Sequence, residues 1–198
     1  KAKRRSTLMT NLMWNDQLGL FFDYDLSKKA QTSFMSLTCF YPLFCGCATD
    51  EQAKRLVQAL SKFEEAGGLV STLEQSLPNP RDQKQWDYPF GWAPHQILIW
   101  QGLKNYGYDQ YAQKLAYRWL YMMVKESADY NGVVTEKYNV VEASHQYYAE
   151  YGNVGASFKY FSDGGFGWSN ASVTVGLTYL NDELKQALSE LQPPASLF

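Results

Sequence analysis

The sequence of 198 residues contains no apolar run near the roughly 20 residues that a membrane-spanning helix needs. It also lacks, at its first residues, the apolar segment that signal peptides carry. Charge is scarce and nearly balanced: the formal net charge is −2, and the one basic run, KAKRR at residues 1–5, is short. Such a balance gives no field that attracts nucleic acid. We therefore predict neither a membrane partner nor a nucleic-acid partner.

Cysteine and histidine are few, and the common catalytic motifs are missing. The three cysteines, Cys39, Cys45 and Cys47, are clustered in the apolar stretch CFYPLFCGC. An odd, clustered set argues against a disulfide framework and for a reducing compartment. The cysteines lack a fourth ligand at metal-binding spacing, and two histidines alone do not make a metal site. The sequence also has no GxSxG, HExxH, P-loop or GxGxxG motif.

Helical periodicity dominates what is present, and it predicts an all-α protein without internal repeats. Residues 49–52, Thr-Asp-Glu-Gln, form a capping box before apolar residues at helical spacing, and Gly67-Gly68 predicts the end of that helix. Strand signals are short, at residues 19–22 and 132–135. Other helices are predicted from Pro94 to near Gly107, over 109–127 and between Asn181 and Pro193, with weaker signals over 3–14, 33–47 and 168–180.

Two long segments between the helices, residues 66–93 and 128–167, are rich in glycine, asparagine and aromatic residues. Each exceeds the ~12–15 residues beyond which an irregular connection is usually functional. The first ends in QWDYPFGWAPHQ at residues 85–96, with two tryptophans and two prolines. A hydrophobic core does not need so much stiff aromatic surface in one loop. We predict that the two segments form a binding site at one rim of the helical scaffold.

Carboxylates among these aromatics point to carbohydrate, because aromatic faces stack on the C–H surfaces of sugars while acids hold hydroxyl groups. A carboxylate flanked by aromatics can be partly desolvated and so tuned as a base. For any single loop carboxylate, the alternative is a turn residue that accepts backbone hydrogen bonds. The candidates for acid–base work are Glu74, Asp87, Glu136, His145, Glu150 and Asp163.

The segment QWDYPFGWAP at residues 85–94 resembles the signature of the α,α-trehalases, inverting glycoside hydrolases that split trehalose into two glucose molecules. SHQYYAEYGNVG at 144–155 is similar to the neutral, cytosolic fungal type, which agrees with the free cysteines and implies a cytoplasmic location. The resemblance covers essentially the whole chain. Its further segments are WN at 14–15, GLFFDYDL at 19–26, FYPLFCG at 40–46, ATDEQAKRLV at 48–57, GGLVST at 67–72 and GFGWSNAS at 165–172.

The resemblance implies an (α/α)₆ barrel with loops at one end that form the sugar pocket. Such a barrel has about a dozen helices, more than the six or seven predicted here. We therefore expect residues 1–198 to form roughly the C-terminal half of the barrel, within a single catalytic domain. The calcium-binding region and regulatory tail of the fungal type would lie upstream, so we expect no cofactor in this segment. The sequence identifies no regulatory partner.

The resemblance also implies the roles of particular residues. In the family, an aspartate general acid works with a glutamate general base. The base corresponds to Glu150 in EYGN, and the acid belongs to a segment upstream of residue 1. This chain alone is therefore expected to be inactive. The implied substrate-binding residues are Trp86 and Trp92 as one wall of the pocket, Asp87 as an acceptor for glucose hydroxyls, and Phe166 and Trp168 as a second wall.

Two alternatives stay open. The chain can belong to a helical-barrel glycosidase that acts on another glucoside, because the QWD loop alone does not fix the second sugar. It can also belong to a non-catalytic relative that binds trehalose, although an intact Glu150 argues mildly against that.

Overall fold

The computed structural model describes residues 1–76, 84–147 and 165–198, and in these residues the protein is mainly helical. The predicted all-α class is confirmed. No helix in the described part of the chain is both long enough and apolar enough to cross a bilayer. The helices are α1 (Ala2–Met13), α2 (Tyr41–Phe44), α3 (Asp50–Leu60), α4 (Ala93–Asn105), α5 (Asp109–Asp129), α6 (Gly167–Leu177) and α7 (Asp182–Ser189).

The strands in the described residues are two residues long and form four antiparallel pairs. The strand predicted within residues 19–22 is confirmed, whereas residues 132–135 contain no strand. In that region the pairing begins at Tyr138 instead. The pairs are β1 (Trp14–Asn15) with β2 (Leu20–Phe21), β3 (Tyr24–Asp25) with β4 (Ala30–Gln31), β5 (Glu64–Glu65) with β6 (Gly68–Leu69), and β7 (Phe90–Gly91) with β8 (Tyr138–Asn139).

Helix α3 begins as predicted and ends earlier than predicted. The Thr49 hydroxyl accepts from the Gln52 amide at 3.2 Å, and the Gln52 side chain accepts from the Thr49 amide at 2.9 Å. The helix ends at Leu60, and a 3₁₀ turn over Ser61–Phe63 follows it. Gly67-Gly68 lies in the β5–β6 hairpin, so its prediction as the helix stop was wrong. Local sequence does not distinguish these two uses of a glycine pair.

The other predicted helices are present with small shifts. Helix α4 begins one residue before Pro94, and α5 extends two residues beyond the predicted end. Helix α7 is capped by Asn181, whose side-chain oxygen accepts from the Leu184 amide at 2.9 Å. Helices α1 and α6 confirm two of the weaker signals. The third, over residues 33–47, contains only a 3₁₀ turn at Leu37–Phe40 and the four residues of α2.

The core forms around α4, which packs against α2, α5 and α6. Three large side chains, Trp100 of α4 and Tyr117 and Trp119 of α5, are completely buried. Gly102 allows α4 to approach α2 closely, since a Cβ atom there would lie 2.8 Å from the Leu43 Cβ. The helices therefore form a rigid base for the loops at their ends.

The two long segments meet each other through the β7–β8 pair. Phe90 pairs with Asn139 and Gly91 pairs with Tyr138. Next to this pair, the Val140 carbonyl accepts from the Gly67 amide at 2.7 Å. The described parts of the two aromatic segments therefore contact each other, and part of their backbone is fixed by this pairing.

Candidate active site

Three indole rings form a cluster where the two segments meet. The rings of Trp86 and Trp92 are stacked, with centroids 3.9 Å apart and planes 7° from parallel. Trp168, at the start of α6, stands edge-on to both, 6.3 Å from Trp86 and 5.7 Å from Trp92. Phe166 lies 5.1 Å from Trp168. The structure thus brings together the four aromatic residues that the sequence predicted as pocket walls. We call Trp86, Trp92 and Trp168 the tryptophan cluster.

The two stacked tryptophans have different positions in this cluster. Trp92 is 1% exposed, whereas Trp86 is only half-buried. The Trp92 indole N–H donates to the Gln85 carbonyl at 3.0 Å, so its polar edge is satisfied by backbone. Trp92 therefore supports the Trp86 ring from behind, and Trp86 supplies the accessible aromatic surface.

Trp168 connects the cluster to the second segment. Its indole N–H donates to the Glu136 carbonyl at 3.0 Å. The neighbouring Ser169 hydroxyl donates to the Thr135 carbonyl at 2.6 Å and is buried. The first turn of α6 therefore fixes the backbone of residues 135 and 136 beside the tryptophan cluster.

Glu136 is a loop carboxylate whose backbone is fixed beside the tryptophan cluster. Burial raises the pKa of its carboxyl group, and the neighbouring Lys137 ammonium opposes part of that effect. A raised carboxyl pKa brings the group closer to the range of a general base or acid at neutral pH. In the sequence, Glu136 is only one loop carboxylate among several. The sequence feature that made Glu136 a candidate was its position in a segment rich in glycine and tyrosine.

Asp87 occupies a turn in this structure. One carboxylate oxygen accepts from the Lys84 amide at 2.8 Å. Its backbone amide donates to the Lys84 carbonyl at 2.9 Å, and its carbonyl accepts from the Phe90 amide at 3.0 Å. This is the turn role that the sequence left open as the alternative. Binding of a sugar hydroxyl by Asp87 stays a prediction.

The two histidines have different surroundings. The His95 ring lies edge-on to Trp86 at 4.9 Å, and its Nδ1 is 3.1 Å from the Ser71 hydroxyl. Burial lowers the pKa of His95 to about 4, so the ring is neutral near pH 7. The Nδ1 atom of His145 contacts the Glu126 carboxylate of α5, which also accepts from the His145 amide at 2.9 Å. This pair attaches the second segment to α5.

Of the remaining candidates, Glu74 is exposed in a 3₁₀ turn over Glu74–Ser76. Glu150 and Asp163 lie outside the described residues. The described residues contain no group of three or more His, Cys, Asp or Glu side chains arranged to hold a metal ion.

A helical scaffold whose loops carry a tryptophan cluster, hydrogen-bonded to the backbone of Glu136, resembles the aromatic-lined sites that bind small molecules such as sugars. The family model described as trehalase matches residues 1–181. The chain therefore belongs to the trehalase family.

The chain is also similar to individual members of this family. The chain is 50% identical over its whole length to the cytosolic neutral trehalase of Saccharomyces cerevisiae, of which it spans 27%. It is 45% identical, over 98% of its length, to the cytosolic neutral trehalase of Beauveria bassiana, again spanning 27% of that protein. The chain thus spans about a quarter of the length of these relatives.

Among solved structures, neutral trehalase Nth1 from Saccharomyces cerevisiae matches with a TM-score of 0.83 at 45% identity, over 98% of this chain and 32% of that one. A GH63 mannosylglycerate hydrolase from Thermus thermophilus matches with a TM-score of 0.65 at 22% identity, over 89% of this chain and 37% of that one. The second likeness shows the fold alone. Both structures are (α/α)₆ barrels, which confirms the predicted fold class.

Proposed function

We propose that this chain is part of an α,α-trehalase catalytic domain that hydrolyses trehalose to two glucose molecules with inversion. The observation that carries the proposal is the tryptophan cluster at the junction of the two segments, with Glu136 held beside it through its carbonyl. The half-buried Trp86 ring suits the C–H face of a glucose unit, and Phe166 extends the aromatic surface beyond Trp168. We infer the substrate, trehalose, from the family and from the names of the relatives.

Inversion requires two carboxyl groups about 6.5–9.5 Å apart, one that protonates the glycosidic oxygen and one that activates water on the opposite face. The general acid is proposed to come from an upstream segment. The resemblance assigns the base to Glu150. Glu136 is a second candidate for the base, because burial raises the pKa of its carboxyl group and its backbone carbonyl accepts from the Trp168 indole. Because the resemblance implies that the calcium-binding region lies upstream, we propose that this segment binds no cofactor.

The decisive experiment compares Glu136→Gln and Glu150→Gln in a polypeptide that carries this chain with the rest of the catalytic domain. Glucose release from trehalose should fall by about 10²–10⁴-fold in the variant that lacks the base. Added azide, a small anion that needs no deprotonation, should restore turnover in that variant only. The other variant should lose at most a contact between its side chain and a sugar hydroxyl, so mainly its KM for trehalose should rise. Full activity in both variants would refute both assignments.

Two controls test the proposal as a whole. The 198-residue chain alone should release no glucose, because it lacks the proposed acid. A panel of other α-glucosides tests the alternative substrate, and trehalose binding without hydrolysis by the complete domain would favour the non-catalytic alternative. The names of the relatives and the three free thiols support a cytoplasmic location, which we propose as well.

A further inference from the structure

Lys137 is a buried cation to which the proposed reaction assigns no role. Its side chain is 1% exposed. A lysine is almost never fully buried unless its charge is compensated. The ammonium group lies 3.9 Å from the centroid of the Phe90 ring, 5.1 Å from that of Tyr147 and 5.6 Å from that of Trp92. Three aromatic rings from both segments therefore surround one positive charge, within the range of cation–π attraction.

The same ammonium group also holds the backbone beside the tryptophan cluster. It donates to the Gln85 carbonyl at 3.2 Å, and that carbonyl accepts from the Trp92 indole at 3.0 Å. Gln85 directly precedes Trp86, so these two donors fix the backbone from which the Trp86 ring extends. Lys137 itself lies between Glu136 and the first residue of β8. One side chain thus links the segment of the stacked indoles to the segment of Glu136.

We propose that Lys137 is a positioning residue of the sugar site, which holds Trp86 against Trp92, in fixed relation to Glu136, before the sugar binds. The identity of the sugar rests on the proposed function. The positioning itself rests on the contacts of Lys137. A site that is ordered in advance binds more tightly, because binding need not immobilise its side chains.

Sugar binding and stability should respond differently to the loss of the Lys137 ammonium group. Burial of an ammonium group carries a desolvation cost that offsets part of what its contacts contribute, so Lys137→Met should change stability less than it changes the geometry of the site. The loss of positioning, in contrast, weakens sugar binding. Lys137→Met keeps the length of the side chain and removes both the charge and the donor. Lys137→Arg keeps the charge and donors on a larger planar head, so it should recover part of the function.

The test measures KM and kcat for trehalose in the complete catalytic domain. Lys137→Met should raise KM about five- to tenfold, with Lys137→Arg between it and the unmodified protein. The melting temperature should change by no more than about 3 °C. Lys104→Met is the matched control, because the exposed Lys104 ammonium also lies over an aromatic ring, Tyr179 at 5.6 Å, but on α4. It should leave KM unchanged.

A second readout does not depend on activity. Lys137→Met should increase the quenching of tryptophan fluorescence by acrylamide, and Trp86→Phe should abolish that increase. Unchanged KM together with unchanged quenching would overturn the proposal. If Lys137→Met does not fold, Phe90→Leu decides: a raised KM supports the proposal and an unchanged KM overturns it. If the unmodified domain does not hydrolyse trehalose, the proposed function fails while the quenching experiment still tests Lys137.

Discussion

Gly91 offers a sharp test of how closely the two loop segments approach each other. A Cβ atom at this position would lie 2.5 Å from the Val140 Cγ1 atom and 2.8 Å from the Leu69 carbonyl oxygen. Contacts this short require a neighbour to move. The Leu69 carbonyl is poorly able to do so, because it is backbone and accepts from the Gln96 side chain at 2.8 Å. Alanine at position 91 therefore forces either the β7–β8 pair or Leu69 out of place.

We expect Gly91→Ala to lower the free energy of unfolding by about 2–3 kcal/mol, the usual cost of overpacking. For a domain of this size or larger, that loss lowers the melting temperature by about 4–10 °C. Thermal unfolding of the complete catalytic domain, followed by far-ultraviolet circular dichroism, measures the shift.

The matched control is Gly167→Ala at the first residue of α6. A Cβ atom there meets nothing within 4 Å, and the backbone is in a conformation that alanine accepts. This substitution should raise stability by about 0.4–1 kcal/mol, because alanine has less freedom in the unfolded chain. Equal melting temperatures for Gly91→Ala and Gly167→Ala would refute the steric argument.

Two further predictions concern buried polar groups of α4. The Gln96 side chain bonds both the amide and the carbonyl of Leu69, at 3.1 and 2.8 Å, so Gln96→Leu should cost about 2–4 kcal/mol in urea unfolding. Gln58 is exposed, so the control Gln58→Leu should change stability by less than about 0.5 kcal/mol. Equal losses of stability in the Gln96 and Gln58 variants would contradict the role of the Gln96 hydrogen bonds. His95, with its pKa lowered to about 4, contributes stability that is complete above the unfolded pKa near 6.5 and is lost as pH falls towards 4. Between about pH 6.5 and 4, the unmodified protein should lose stability that approaches roughly 3 kcal/mol through this group. His95→Gln should therefore flatten the dependence of stability on pH over this range. An unchanged slope would show that another group causes the dependence.

Short-range features of this fold could be predicted from sequence, because their partners lie a few residues apart. The Thr49 capping box and the Asn181 cap are of this kind, since each involves an amide three residues further on. The use of Gly67-Gly68 could not be predicted in the same way. A Cβ at Gly68 would meet Gln96 and Trp119, and the Gly67 amide donates to Val140. These distant partners decide that the pair forms a hairpin.

In the candidate site, too, some features could be predicted from the sequence and others could not. Residue types in QWDYPFGW predicted an aromatic sugar site, and the structure does assemble these rings. The sequence did not distinguish the half-buried Trp86 from the buried Trp92, because the difference depends on which ring lies behind the other. Lys137 gave no signal at all. A lysine between glutamate and tyrosine normally indicates a solvated face, and its burial depends largely on two rings of the other segment, Phe90 and Trp92, which lie 45 or more residues earlier in the chain.

The arrangement of donors explains how a site made of two loops can keep a fixed geometry. The N–H groups of Trp92 and Trp168 donate to the carbonyls of Gln85 and Glu136. The Trp92 and Trp168 rings are thus held by their polar edges and keep their faces for packing, while the half-buried Trp86 ring has surface that a ligand can contact. Each of these bonds also fixes backbone directly beside a proposed functional side chain. The backbone of Trp86 and that of Glu136 are therefore held in relation to each other by the aromatic rings and the Lys137 side chain between the two segments, so a change in one segment should alter the other.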